Sequence, residues 1–500
     1  MPTLMESPPT TAASARAPAA PPPPKPWLTE DWLSVWIGLL VFVLSLGMLA
    51  GLDMLGWAVT TAVWTSPVKA LAPASKTYAN LPGIIALILT YFAMLAVLLV
   101  GAKALGANVK RFAQGFTVVF AASYACWFIG SWAYIAATPD KRAALHLPWS
   151  LNLTNESGFI VALLLGLVVG NFMPGLSAWL KEAIRPELYI KTGIVILGGY
   201  LGVTALDQRR LASAMLFQGL CAIVCAYLIF WPIVYYVARR YFRFSREWAA
   251  PLASGISICG VSAAIATGGA IRARPIIPVM VSSLVVIFAV VELLILPFAA
   301  QHFLSGSPMV AGAWMGLSVK TDGAAVASGA IADSLIRAKA AASGINYQPG
   351  WIMGAATTVK VFIDIMIGVW AFVLAWVWAA KIEPKAGQKV SIVEIWQRFP
   401  KFVLGYVATF LLVVALGAML PTLLPKIKAS MGQANIFRGI FFVLTFFTIG
   451  VMSNFRRLWQ EGIAKLAAVY VICLFGYIVW VGLFIAWLFF GGMLPPIVKG

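Results

Sequence analysis

From Trp32 onward the chain is a succession of apolar runs, each near the ~20 residues that a bilayer core requires, joined by short charged links. In hydrocarbon every backbone N–H and C=O must be bonded within the protein, so runs of this kind predict helices. They fall at roughly 32–52, 81–102, 114–137, 158–173, 189–206, 213–237, 276–300, 351–379, 402–420, 437–454 and 466–490. With 61% hydrophobic and 11% charged residues and a mean hydropathy of +0.91, too little polar surface remains to cover a water-facing globule. The expected fold is an all-α polytopic membrane protein with about 11 spanning helices and two further segments, broken or re-entrant, that do not fit the pattern.

Three regions follow from composition. Residues 1–27, with Pro8-Pro9 and Pro21 to Pro24, read as an unpacked Pro/Ala-rich tail without the features of a cleaved signal peptide. Residues 28–150 form an N-terminal helical extension of about three spans, and residues 151–500 a core. The formal net charge of +19 comes from Lys and Arg in short loops, as the positive-inside rule has them, so no nucleic-acid partner is expected. The five cysteines show no metal-ligand or disulfide spacing, and His146 and His302 stand alone in loops; no metal site is expected. No Walker A, GxSxG or HExxH sequence is present, so neither an enzyme nor an ATP-driven pump is expected, and no cofactor.

The two irregular segments, 253–272 and 314–331, resemble each other. Gly255-Ile-Ser257-Ile-Cys259-Gly260-Val-Ser262-Ala-Ala-Ile-Ala-Thr267-Gly268 aligns without a gap on Gly316-Leu-Ser318-Val-Lys320-Thr321-Asp322-Gly323-Ala-Ala-Val-Ala-Ser328-Gly329. Loop charges predict how they sit. With Lys103, Lys110 and Arg111 cytoplasmic, the N-terminus, the Arg239/Arg240/Arg243/Arg246 group and the Lys381/Lys385/Lys389/Arg398 and Arg456/Arg457/Lys465 clusters are cytoplasmic too, provided both segments cross or both re-enter. Re-entry keeps Arg272 and Arg274 inside and brings the two copies in from opposite faces, the inverted arrangement of transporters that expose one site alternately.

A Gly/Ser-rich break at membrane depth leaves backbone groups to be satisfied by protein or by a water-filled cavity. Half-helix N-termini carry about +0.5 of an elementary charge, and with the hydroxyls of Ser257, Ser262, Thr267, Ser318 and Thr321 they suit an oxyanion, with Lys320 adding charge. The competing reading is close helix packing by small residues. Packing is also the expectation for the Gly166/Gly170 and Gly193/Gly198 faces. Lys360 and Asp364 stand one turn apart in one span, and Glu292 lies in another, each costing about 2.5–3.5 kcal/mol at a helix centre. Asp322, Asp364 and Glu292 are candidates for binding a coupling H⁺ or Na⁺. The alternative is a structural Lys360–Asp364 pair with Glu292 near an interface.

Leu165-Gly-Leu-Val-Val-Gly170-Asn171, Lys191-Thr-Gly-Ile-Val-Ile-Leu-Gly198, Ile258-Cys259-Gly260-Val-Ser262-Ala263, Ala313-Trp314-Met-Gly316-Leu-Ser318, Thr358-Val-Lys360, Pro400-Lys-Phe402-Val-Leu-Gly405 and Ile449-Gly450 resemble, in this order, the signatures of the bacterial sulfate exporter family, also called YeiH-like, over residues 158–490. The resemblance implies a bacterial inner-membrane secondary transporter grouped with the cation/proton antiporter and anion transporter superfamily, with inverted repeats, an elevator-like core and often a homodimer. The chain departs from the family pattern where Lys320 replaces a His and Ile363 an Arg, and Asp364 is an added acid. The expected function is therefore transport of a small anion, sulfate or a related oxyanion, with export as its direction, by alternating access coupled to H⁺ or Na⁺. Ser257, Cys259, Gly260, Ser262, Ser318 and Thr321 would contact the anion, and Lys320 and Lys360 compensate its charge. Two other readings stand beside it: a cation/proton antiporter whose carboxylates are the primary site, and a membrane sensor or scaffold whose tail recruits a soluble partner.

Overall fold

The computed structural model describes residues 29–137, 139–151, 157–207, 209–274, 276–382, 396, 400–453 and 464–498. The Pro/Ala-rich tail lies outside the described residues, as do Lys385, Lys389, Arg398, Arg456 and Arg457 of the basic clusters. The principal helices are α1 (Glu30–Leu46), α2 (Gly83–Ala104), α3 (Val109–Gly130), α4 (Ser157–Phe172), α5 (Pro186–Asp207), α6 (Arg209–Arg240), α7 (Arg246–Ser254), α8 (Val261–Ala270), α9 (Ile276–Phe303), α10 (Pro308–Ser318), α11 (Asp322–Ala342), α12 (Trp351–Val377), α13 (Phe402–Met419), α14 (Leu424–Met452) and α15 (Ala464–Phe490). Among the described residues 10 helices are long and apolar enough to cross a membrane, or 11 with α4, which bends by 103° into the short helix that follows it. The all-α polytopic fold expected from the apolar runs is thus present. A small antiparallel ribbon, β1 (Val59–Thr61) with β2 (Leu71–Pro73), fills the link after α1.

Hydrogen bonds between the links sort the helix ends into two faces. On one, Arg185 pairs with Glu30, Lys191 lies 2.7 Å from Asp31, the Lys401 amide donates to Asp31, and Asn171 donates to the Ser453 carbonyl. On the other, Gln433 donates to Asp53, Ser157 to the Gly130 carbonyl, and the Gln348 amide to the Pro496 carbonyl. The first face also carries Lys103, Arg239, Arg240, Arg243, Arg272 and Arg274, and is called the basic face below.

The two small-residue segments each fold into a hairpin of two half-helices. The Arg274 amide, just past α8, donates to the Glu247 carboxylate at the start of α7 (2.7 Å), so this hairpin enters and leaves at the basic face. Lys339, late in α11, donates to the Gln301 carbonyl at the end of α9 (3.0 Å), and α10 starts five residues beyond α9, so the second hairpin enters and leaves at the opposite face. Each hairpin thus has both its ends on one face, and α9 runs from one face to the other between them.

The helices pack in two groups. α1–α5, α13 and α14 form one bundle, and α6–α12 and α15 the other; the two are joined more sparsely, through α5 to α6 and α11, α9 to α14, α12 to α13, and the short helix Pro139–Ala144 to α11. Close approach depends on glycine. A Cβ at Gly166 would strike the Phe447 carbonyl, one at Gly198 the Tyr406 carbonyl, and one at Gly312 the Ile352 carbonyl. The first two bear out the packing expectation for those faces, and the third, like Gly316 against Ala356, extends it to one wall of the second hairpin.

Candidate functional site: the crossing of two hairpin tips

The first tip is a π turn, Gly255–Cys259, ending at Gly260 with φ 57° and ψ −110°. That conformation is closed to residues with a Cβ. It also lets the tips touch, since a Cβ at Gly260 would lie 2.8 Å from the Lys320 carbonyl oxygen and 2.5 Å from Val285. The second tip is the extended link Val319-Lys320-Thr321, after which Thr321 caps α11 by accepting the Ala324 N–H at 3.2 Å.

Breaking two helices leaves carbonyls that no helical N–H can reach. Lys360 of α12, 1% exposed, supplies the donors: its Nζ donates to the Ile258 carbonyl (3.3 Å) of the first tip and the Lys320 carbonyl (3.2 Å) of the second, and lies 3.7 Å from Asp322 Oδ1. Its charge sits where the first half-helix ends, at the negative pole of that helix dipole. The ion pair that Lys360 makes is thus with Asp322 of the second hairpin, and the pair with Asp364, one turn on in its own helix, is not formed.

Two residues expected at the site face elsewhere. The Lys320 ammonium donates to the Leu317 carbonyl and lies 5.3 Å from the Phe230 ring centre, against α6. The Ser318 hydroxyl is directed at α15, where a Cβ on Gly482 would come within 2.9 Å of it. Glu292 is fully buried, not near an interface, and both its oxygens are engaged, Oε2 by the Lys320 N–H (2.9 Å) and Oε1 by the Tyr470 hydroxyl (2.9 Å). Thr267 donates to Ser254, which also accepts from Trp231, so this hydroxyl is part of the packing of α7 on α8 and α6. Ser262 is partly buried at the start of α8. Tyr470 and Phe230 were not singled out in the sequence, where each is one aromatic residue in an apolar run with no local pattern to mark it.

Behind Lys360, the Cys259 sulfur, a carboxylate oxygen of Asp322 and one of Asp364 lie within 4.8 Å of one another, and all three residues are buried. Both oxygens of Asp364, Asp322 Oδ1 and the Ser257 and Ser318 hydroxyls make no hydrogen bond. Acidic oxygens without donors at membrane depth can take up protons or a cation. Toward the basic face, Gly323 beside Asp322 packs on Ile190, whose neighbour Lys191 joins Asp31 and Glu187 (2.7 and 3.3 Å). At the boundary of the two helix groups, an apolar cavity of about 200 Å³ is lined by Leu201, Thr204, Met215, Gly354, Phe362 and Tyr406, among others.

Comparison with known proteins places the chain. Residues 144–470 match the family model described as conserved hypothetical protein 698. The chain is 42% identical over 478 residues to a UPF0324 membrane protein of Nitrosomonas europaea, covering 94% of this chain and 97% of that protein. It is 31% identical over 407 residues to a UPF0324 membrane protein of Rhodopirellula baltica (80% and 65% covered), and 48% identical over 167 residues to an uncharacterized protein of Archaeoglobus fulgidus (29% and 89%). No solved structure matches it. The chain therefore belongs to the conserved hypothetical protein 698 family, and is a multi-pass membrane protein similar over nearly its whole length to a UPF0324 membrane protein.

Proposed function

We propose that this protein is a secondary active transporter that works by alternating access, with the crossing of the two hairpin tips as its site. The observation that carries this reading is the meeting of two opposed re-entrant hairpins at Gly260 and Lys320, next to Asp322 and Asp364 oxygens that have no donor. Charges at that depth are costly and are kept where ions move, and opposed broken segments are how an inverted repeat builds one site open to either side. The bundle α1–α5, α13 and α14 would serve as frame and α6–α12 with α15 as the moving group. Its basic face would lie on the cytoplasmic side of a bacterial inner membrane, with the N-terminus.

For the transported species, the resemblance to sulfate exporters supports a small oxyanion moved outward with H⁺ or Na⁺ as coupling ion. The side chains favour the coupling half of that reading. Lys320 and Lys360 donate their hydrogen bonds to carbonyls, whereas the atoms left without a hydrogen bond at Asp322 and Asp364 are acceptors. The same observation favours, as a second reading, a cation/proton exchanger with these carboxylates as primary site. A sensor or scaffold would have no use for the paired breaks.

Reconstituted protein tests this. Sulfate counterflow that rises with an imposed pH or Na⁺ gradient is expected for the first reading, and proton flux driven by cations without sulfate for the second. In either case Asp364→Asn should remove the dependence on the coupling ion. Vesicles that pass no sulfate, proton or sodium under any gradient would sink the transporter reading.

A further inference from the structure

We propose that Cys259, Asp322 and Asp364 form a binding site for a thiophilic divalent cation of the zinc or cadmium class, an inference that rests on the transporter reading in its cation/proton-exchange form and names the cation loaded at the crossing. The three ligand atoms come from three separate segments and lie within 4.8 Å of one another. An ion bound at about 2.0–2.3 Å from each would need them roughly 3.5 Å apart, a closure of about one ångström, within the reach of side-chain rotation. Three protein ligands with a fourth position open is the composition of exchangeable rather than structural zinc sites.

Two independent features point to a ligand here. Both Asp364 oxygens and Asp322 Oδ1 are buried and make no hydrogen bond, whereas two other buried carboxylates of the same helix group, Glu292 and Asp333, each draw two or more donors. Formal charge agrees. Lys320 offsets Glu292, and Lys360 offsets one of the two aspartates. With the thiol bound as thiolate the remainder is two negative charges, which a divalent ion cancels. Thiolate among the ligands selects a zinc- or cadmium-like ion over sodium, magnesium or calcium, which take oxygen donors. No linear motif announces such a site, since its ligands share no local spacing.

The test is a Cd²⁺ titration of the purified full-length protein in detergent, read by the thiolate-to-cadmium charge-transfer absorption, with Zn²⁺ and Mg²⁺ as competitors. One equivalent should bind, with Zn²⁺ displacing it and Mg²⁺ not. A variant with Cys126, Cys221, Cys225 and Cys473 all changed to Ser should keep the band, Cys259→Ser should lose it, and Asp364→Asn should weaken binding more than about 10-fold. A monodisperse wild-type protein that shows no saturable band, or a band that survives Cys259→Ser, overturns the site. Ion-coupled flux without metal binding overturns the site and leaves the transporter reading standing; metal binding without any flux does the reverse.

Discussion

Lys360 and Gly260 show how much of the crossing hangs on single residues. Lys360 satisfies two carbonyls from two different hairpins and one carboxylate. Lys360→Met, close in shape, takes the donor from both carbonyls, at about 1–3 kcal/mol each, and the ion-pair partner from Asp322, so it should lower the thermal unfolding midpoint and abolish flux. Lys320→Met removes a donor from the Leu317 carbonyl but nothing from Asp322 or Asp364. It should therefore destabilise the protein while cation affinity stays within a few-fold of wild type, which a titration of the detergent-solubilised variant checks. Gly260→Ala meets both a φ of 57° and the Lys320 carbonyl, and should reduce the yield of monodisperse protein at a cost of about 1–3 kcal/mol. The pairing of small-residue segments was legible in the sequence because it is a local pattern. That Lys320 would turn to Phe230, and Glu292 to Tyr470, was not, because those partners come from helices remote in the chain.

The hairpins are elements whose sidedness can be read directly. Single cysteines at Glu247 and Arg274 should react with an impermeant maleimide from one side of the membrane, and cysteines at Gly306 and Lys339 from the other. Labelling of position 274 from the side that labels 306 would mean that the first segment crosses rather than re-enters. Loop charge favours re-entry, since moving Arg272 and Arg274 across the membrane works against the positive-inside rule. The tight contact of α4 with α14 is also an element-scale property: Gly166→Val inserts carbon atoms against the Phe447 carbonyl and should destabilise the bundle by about 1–3 kcal/mol in thermal unfolding.

At the scale of the molecule, the contact pattern divides the helices into two groups with an apolar cavity at their boundary. A Cβ at Gly354 of α12 would come within 3.3 Å of the Leu201 side chain of α5, so these positions face each other across that boundary. Leu201→Cys with Gly354→Cys, bridged by a short, reducible bifunctional reagent, should stop flux, reduction should restore it, and ion binding should persist throughout. Flux unchanged by the bridge would mean that the groups do not move relative to each other during transport.

The all-α polytopic fold, the grouping of basic residues and the match of the two small-residue segments were written in the order of residues along the chain. Hydropathy and loop charge act through the solvent each segment meets, and each segment contributes independently of the others. Which charge meets which was settled by the way the helices cross. Lys360 finds Asp322 instead of Asp364, Glu292 finds Tyr470, and Cys259 joins Asp322 and Asp364. Those contacts join residues far apart in sequence, and at the crossing itself Gly260 lets one hairpin tip lie against the backbone of the other.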